Sequence, residues 1–202
     1  MKPRNRETGL SLVETTIILT VLMILTAVVA PAGMTMIQQG RDVQVQRDCS
    51  ALRDAVIKLL IDTNQQVLRV HETHGPRVGL LVSDGAAPEL GTTGDAAWLS
   101  SPDGAGTVDL LNNYLMENQP AGNSANAWAL PRGTDSSGWR GSYLAGAASR
   151  DPWGHRYAIN VQYLGTRNDV IVLSAGPDGL IDTPFTSRGV LPGGDDRYVL
   201  VR

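Results

Sequence analysis

The chain has 202 residues, 42% of them hydrophobic, and a formal net charge of -3. That length holds one membrane segment and one modest domain, and the slightly acidic balance gives no support to a general nucleic-acid surface. The single cysteine, Cys49, excludes an intrachain disulfide and packs best as a small apolar group.

The chain opens on a short basic leader containing Lys2, Arg4 and Arg6 and ending at Gly9. An apolar run from Leu10 to Pro31 follows, and no charged residue occurs from Thr15 to Gly40. A run of about 20 apolar residues is enough for a helix to span a bilayer, and the basic leader predicts a cytoplasmic N-terminus. Glu14 lies near the start of this run. A carboxylate at membrane depth is costly unless something neutralises it, which marks Glu14 as functional. The plainer alternative is an acid at headgroup level, favoured there by the helix dipole. A cleaved secretory signal, with Ala30 and Ala32 as its small residues, explains neither Gly9 nor Glu14.

Past Gln38, Val45, Cys49, Leu52, Val56, Leu59 and Leu60 recur near helical spacing, while Arg41, Asp42, Arg47, Asp48, Arg53, Asp54 and Lys58 occupy the other faces. The pattern predicts one helix from Leu10 to Val70, with residues 10–31 as its membrane part and residues 32–74 as an amphipathic part. Pro31 predicts a kink or local melting, and His74-Gly75-Pro76 a stop.

From Gly75 onward lie 19 of the 22 glycines and nine of the 11 prolines, so turns and short elements are expected. Residues 75–138 read as a loop-rich region, with a strand at Val78–Val82, a long surface loop at 85–106 and a short helix at 107–118. Residues 139–202 read as a sheet region. Tyr157, Ile159, Val161 and Tyr163 alternate within a strand at 156–164, and 169–174 and 197–201 supply two more. A small antiparallel sheet packed on the long helix gives an α+β fold. In Asp151-Pro152-Trp153-Gly154, Asp151 and Pro152 predict a turn and Trp153, with Tyr157, core area.

Asp178, Asp182, Asp195 and Asp196 cluster in a Gly-rich C-terminal segment. Hard oxygen ligands on tight turns suit calcium, though the spacing is not that of an EF-hand, and solvated turn aspartates are the alternative. His71 and His74 read as a surface helix end rather than a ligand pair, and His155 stands apart. No Ser/His/Asp set, Walker motif or GxGxxG is present, so nothing predicts an enzyme.

Gly9-Leu10, Glu14 and Pro31 together resemble the processing and assembly signal of the type IV pilin superfamily. Leu10 departs from the Phe or Met of many members, and Thr15, Thr16 and Thr20 make the segment more polar than usual. Trp139–Leu144 (WRGSYL), Asp151–Tyr157 (DPWGHRY) and Ser174–Gly179 (SAGPDG) are similar to the major pseudopilin of type II secretion systems. The resemblance implies a pilin-like fold and a leader, residues 1–9, removed by a prepilin peptidase that then N-methylates Leu10. It implies that Glu14 pairs with the Leu10 amine of a neighbouring subunit and so sets filament register. It also implies a calcium loop at Asp178 and Asp195 with Asp182 or Asp196, although residues 183–194 depart from the shorter acidic loop of that family. The expected partners are further copies of the chain, the prepilin peptidase, an inner-membrane assembly platform and minor pseudopilins. The expected location is the bacterial inner membrane, single-pass, with a periplasmic C-terminal domain. The alternatives are a type IV pilus subunit for adhesion, motility or DNA uptake, and a non-polymerising signal-anchored periplasmic domain.

Overall fold

The computed structural model describes residues 11–100, 106–133, 136–186, 188–189 and 191–201. The leader, Gly9 and Leu10 lie outside the described residues. The chain divides into two compact units, one ending at Arg41 and the other running from Asp42 to Arg202.

The first unit carries the N-terminal part of helix α1, Leu12–Thr63. Ser11 precedes it as the N-cap, its hydroxyl accepting the Glu14 amide at 3.2 Å. Leu12, Ile17, Leu22, Met23, Leu25, Val28 and Ile37 are all exposed, so this part buries no core of its own. A helix satisfies its own backbone, which is what an apolar solvent demands. The threonines that make the sequence polar are absorbed in the same way. Thr15, Thr16, Thr20 and Thr26 donate their hydroxyls to carbonyls three or four residues back, at 2.7–2.8 Å. Pro31 lies inside the helix, which runs through it unbroken, so the expected local melting does not occur. The proline removes one ladder hydrogen bond without ending the helix.

In the second unit α1 buries Val45, Cys49, Leu52, Ala55, Val56, Leu59 and Thr63, the anticipated stripe with Ala55 added and Leu60 only partly covered. The helix ends seven residues before the expected Val70, at Thr63. Asn64 takes a left-handed conformation, φ 54°. Its amide bonds Ile61 O and the Gln65 amide bonds Leu60 O, the hydrogen-bond pair of a Schellman cap. Asparagine tolerates that conformation better than most side chains, and the apolar Val67, Leu68 and Val70 had masked the stop. Leu68 is core, but from an extended segment that pairs with Val78.

Five strands form one sheet in the order β3-β1-β4-β5-β7: β1 Val78–Val82, β3 Thr107–Leu110, β4 Ala158–Ile159, β5 Ile171–Ser174 and β7 Arg197–Leu200. The sheet is mixed rather than antiparallel, because β3 runs parallel to β1. β3 replaces the first turn of the helix expected at 107–118, whose remainder is α3, Leu111–Leu115. The strand expected over 156–164 is only Ala158–Ile159. Beyond it Asn160, fully buried, uses its side chain in place of a ladder, donating to Asp169 O and Phe185 O and accepting the Ile171 amide. Val161–Tyr163 then turns as a 3-10 helix.

Both faces of the sheet are covered. Val78, Leu81, Ile159 and Val172 pack with the α1 stripe, while Leu80, Val82, Ala158, Ile171 and Leu173 pack with Trp98 and Phe185. The second cover comes from the region expected to be a surface loop. It holds β2, Glu89–Leu90, paired in parallel with β6, Leu180–Ile181, and the short α2, Ala97–Ser100.

Candidate functional site

Two places carry the predicted functional residues, the start of α1 and the acidic segment from Asp178 to Asp196, and the fold-specifying turn at Asp151 lies between them in the chain. At the start of α1, Ser11 and Glu14 stand at the N-cap and N3 positions of a Ser-x-x-Glu sequence, so Glu14 has a local role at the helix start. It is exposed in the single chain, as is the apolar surface that follows. The Ser-x-x-Glu spacing is the sequence signal for this cap.

At the turn, Asp151 is buried and fully used. Its Oδ1 accepts the amides of Trp153 and His155 at 3.0 and 2.8 Å, and its Oδ2 accepts the Ser174 hydroxyl at 2.6 Å. One carboxylate thus closes the turn and fastens it to the end of β5. Gly154 sits at φ +102° with no atom near a would-be Cβ, so its requirement is conformational rather than spatial. Tyr157 donates its hydroxyl to Asp48 Oδ2 at 3.0 Å, joining the segment to α1. Burial, and then the Asp48 charge, holds this phenol in its neutral form. Cys49 beside it is buried, and its thiol is pushed up to about 12, mainly by burial, which makes it unreactive at neutral pH.

The acidic segment separates into parts with different tasks. Asp196 Oδ2 accepts the amides of Asp182 and Thr183 at 3.0 and 2.7 Å and also the Thr183 hydroxyl. Asp182 latches the 85–106 region, accepting the Thr93 hydroxyl on its backbone oxygen at 2.6 Å and the Thr93 amide on Oδ1 at 3.2 Å. Asp178 Oδ1 accepts the Leu180 amide at 2.9 Å. Asp195 Oδ1 and Asp196 Oδ1 are buried and have no hydrogen-bond partner among the described residues. The Asp195 carboxyl is pushed above the usual aspartate range, first by burial and then by Asp178; that of Asp196 is raised mainly by burial. Gly176 makes the approach possible, since a Cβ there would lie 2.5 Å from Asp195 O. Arg197 ties the segment to α1, donating from Nε to Asp42 Oδ1 at 3.1 Å and from Nη1 to Asp195 O.

Among the described residues no three His, Cys, Asp or Glu side chains converge as a metal-holding group. What the structure brings together is Asp178 with Asp195, a like-charged pair, and such a pair fits a hard cation whose remaining ligands are backbone carbonyls or water. The glycine spacing in SAGPDG and GGDD was the signal for this approach. The Asp182–Thr93 latch had no sequence signal, because its partners are 89 residues apart.

Residues 110–188 match the family model described as Type II secretion system (T2SS), protein G. No curated protein and no solved structure gives a match. The matched region includes α3, the Asp151 turn, β5 and Asp178. α1 is long and apolar enough to cross a membrane.

Proposed function

We propose that this type IV pilin-like chain, which resembles the major pseudopilin of type II secretion systems, is the structural subunit of a pseudopilus. One observation carries the reading: the match to T2SS protein G over residues 110–188 on a chain whose N-terminal helix is apolar and unburied through Ile37. A membrane anchor explains the apolar length, and a polymerisation helix explains in addition why an acid sits near its start. The match favours this reading over a type IV pilus subunit or a non-polymerising periplasmic domain, and it is to a structural family rather than an enzyme family.

In this reading the precursor inserts with its basic leader in the cytoplasm. A prepilin peptidase cleaves between Gly9 and Leu10 and N-methylates the new amine. The amine of Leu10 then neutralises Glu14 of a neighbouring copy as subunits enter the filament. A misplaced subunit leaves a charge unpaired among apolar helices, so the pair selects axial register more than it adds affinity. Minor pseudopilins and an inner-membrane platform start and drive the assembly, and the second unit faces the periplasm.

We also propose Asp178 and Asp195 as the carboxylates of a calcium site, with Asp196 occupied with Thr183 and Asp182 with Thr93. Calcium would supply the positive charge that this pair lacks, and the residues' own part is to hold the 176–179 and 193–196 turns together.

The direct test expresses the chain with a type II assembly system and examines processing and filaments together. Wild type gives a shortened product and filaments visible by electron microscopy. Gly9→Val leaves a full-length membrane precursor and no filaments, because a branched side chain precedes the scissile bond. Filaments of normal yield from unprocessed Gly9→Val would overturn the reading.

A further inference from the structure

His71 and His74 are not on a helix. They lie on the turn between the Leu68 segment and β1, and their rings stack with centroids 3.8 Å apart and planes 28° apart. One hydroxyl serves both: Thr73 Oγ1 is 3.4 Å from His71 Nδ1 and 3.0 Å from His74 Nδ1. The turn that carries them is fastened at its base. The Val70 amide bonds Pro76 O at 3.1 Å, and Arg69 Nη1 donates to Gly75 O at 3.0 Å. Glu72, between the two histidines, is drawn away from them, its Oε2 accepting the Ala129 amide at 3.0 Å.

We propose that His71 and His74 form a two-imidazole site for a borderline divalent transition ion, with Zn2+ as the reference ligand and Thr73 as the residue that positions both rings. Imidazole is a favoured ligand for such ions, whereas calcium prefers oxygen, so the site is chemically separate from the aspartate pair. A histidine that binds metal through one ring nitrogen usually donates from the other to a fixed acceptor, which sets its tautomer and orientation. In the Nδ1–H tautomers Thr73 Oγ1 would be that acceptor for both rings, which would leave both Nε2 atoms for the metal. Binding shifts each neutral ring to the Nδ1–H form, with no net proton released, and gives up the long 3.4 Å contact from the Thr73 amide to His71 Nδ1. Two nitrogens on a tetrahedral zinc at about 2.0–2.1 Å lie about 3.4 Å apart, and each ring must hold the ion in its own plane, so binding requires the two rings to rotate out of this stack. No third His, Cys, Asp or Glu joins them among the described residues, so water completes the shell in the single chain.

The test is zinc titration of the full chain in detergent, purified without a histidine tag and freed of metal by chelator, followed by calorimetry and by histidine NMR shifts. Wild type is expected to bind one Zn2+ that shifts the His71 and His74 ring signals. His71→Ala and His74→Ala each lower the affinity by about tenfold or more, and Thr73→Val weakens it by about tenfold without changing the melting temperature of the metal-free protein. Asp195→Ala leaves zinc binding unchanged. Equal binding by wild type and the His71→Ala/His74→Ala double variant overturns the proposal, as does loss of binding in Asp195→Ala, which would place the ion on the aspartates. Unchanged affinity in Thr73→Val removes the positioning role.

Discussion

A single carboxylate organises the Asp151–Tyr157 segment. Asp151 serves two amides and the Ser174 hydroxyl from a buried position, so removing it strands three donors at once. Charged acceptors contribute about 1.5–3 kcal/mol per hydrogen bond, and buried donors left unpaired cost about 1–3 kcal/mol more. Asp151→Ala should therefore lower unfolding stability by about 3 kcal/mol or more, read from denaturant melts in detergent. A loss under about 1 kcal/mol would show that water replaces the carboxylate. The sequence marks Asp151-Pro152 as a turn, and the structure adds its clamp on β5. That addition was not legible, because Ser174 is 23 residues away and serine alone carries no directional signal.

At the scale of elements, the amphipathic stripe of α1 and strand β1 were legible because periodicity and β-branched runs are local properties. The missed elements were set by distant partners. β3 is a strand because β1 offers it a parallel edge, and β4 is short because Asn160 takes over the hydrogen bonding of its neighbours. The covering of the second sheet face depends on Trp98, which is fully buried, donates from Nε1 to Thr183 O at 2.9 Å and meets Phe185 edge-on. Trp98→Ala should cost about 3–5 kcal/mol by opening a cavity under the 85–106 region, measured by chemical denaturation. A near-neutral outcome would mean that this cover is not packed on the sheet. The acidic turns add a pH dependence whose sign follows from Asp195 and Asp196. Both carboxyls bind protons more tightly in the folded state than their ordinary 3.8, so their contribution is full below that value and is lost as pH rises through the raised folded values. In chelator, the melting temperature should fall as pH rises above the ordinary aspartate range on this account, and calcium should recover the loss if it occupies the pair. Identical melts at pH 7 with calcium and with chelator would reject the calcium site.

For the molecule as a whole, the decisive question is whether Glu14 serves only the start of its own helix or a second copy of the chain. The local role has a clear basis, since Ser11 caps the Glu14 amide and an acid in the first turn is favoured by the dipole. Glutamine can replace glutamate in that local role, because Ser-x-x-Gln also forms a capping box. It cannot replace the charge that a Leu10 amine requires. The two roles therefore separate in Glu14→Gln. If Glu14 acts only at the helix start, Glu14→Gln should insert and assemble like wild type, while Glu14→Ala loses about 0.5–1 kcal/mol of helix-start stabilisation and little else. If it pins filament register, both variants should insert, lose the leader at Gly9 and accumulate in the membrane, with filament yield falling sharply in both. Processing and membrane fractionation establish that the subunit was made correctly, and electron microscopy counts what it built. Normal filaments from Glu14→Gln would confine this residue to its own helix and leave the unburied apolar surface of Leu12–Ile37 as the sole basis for assembly.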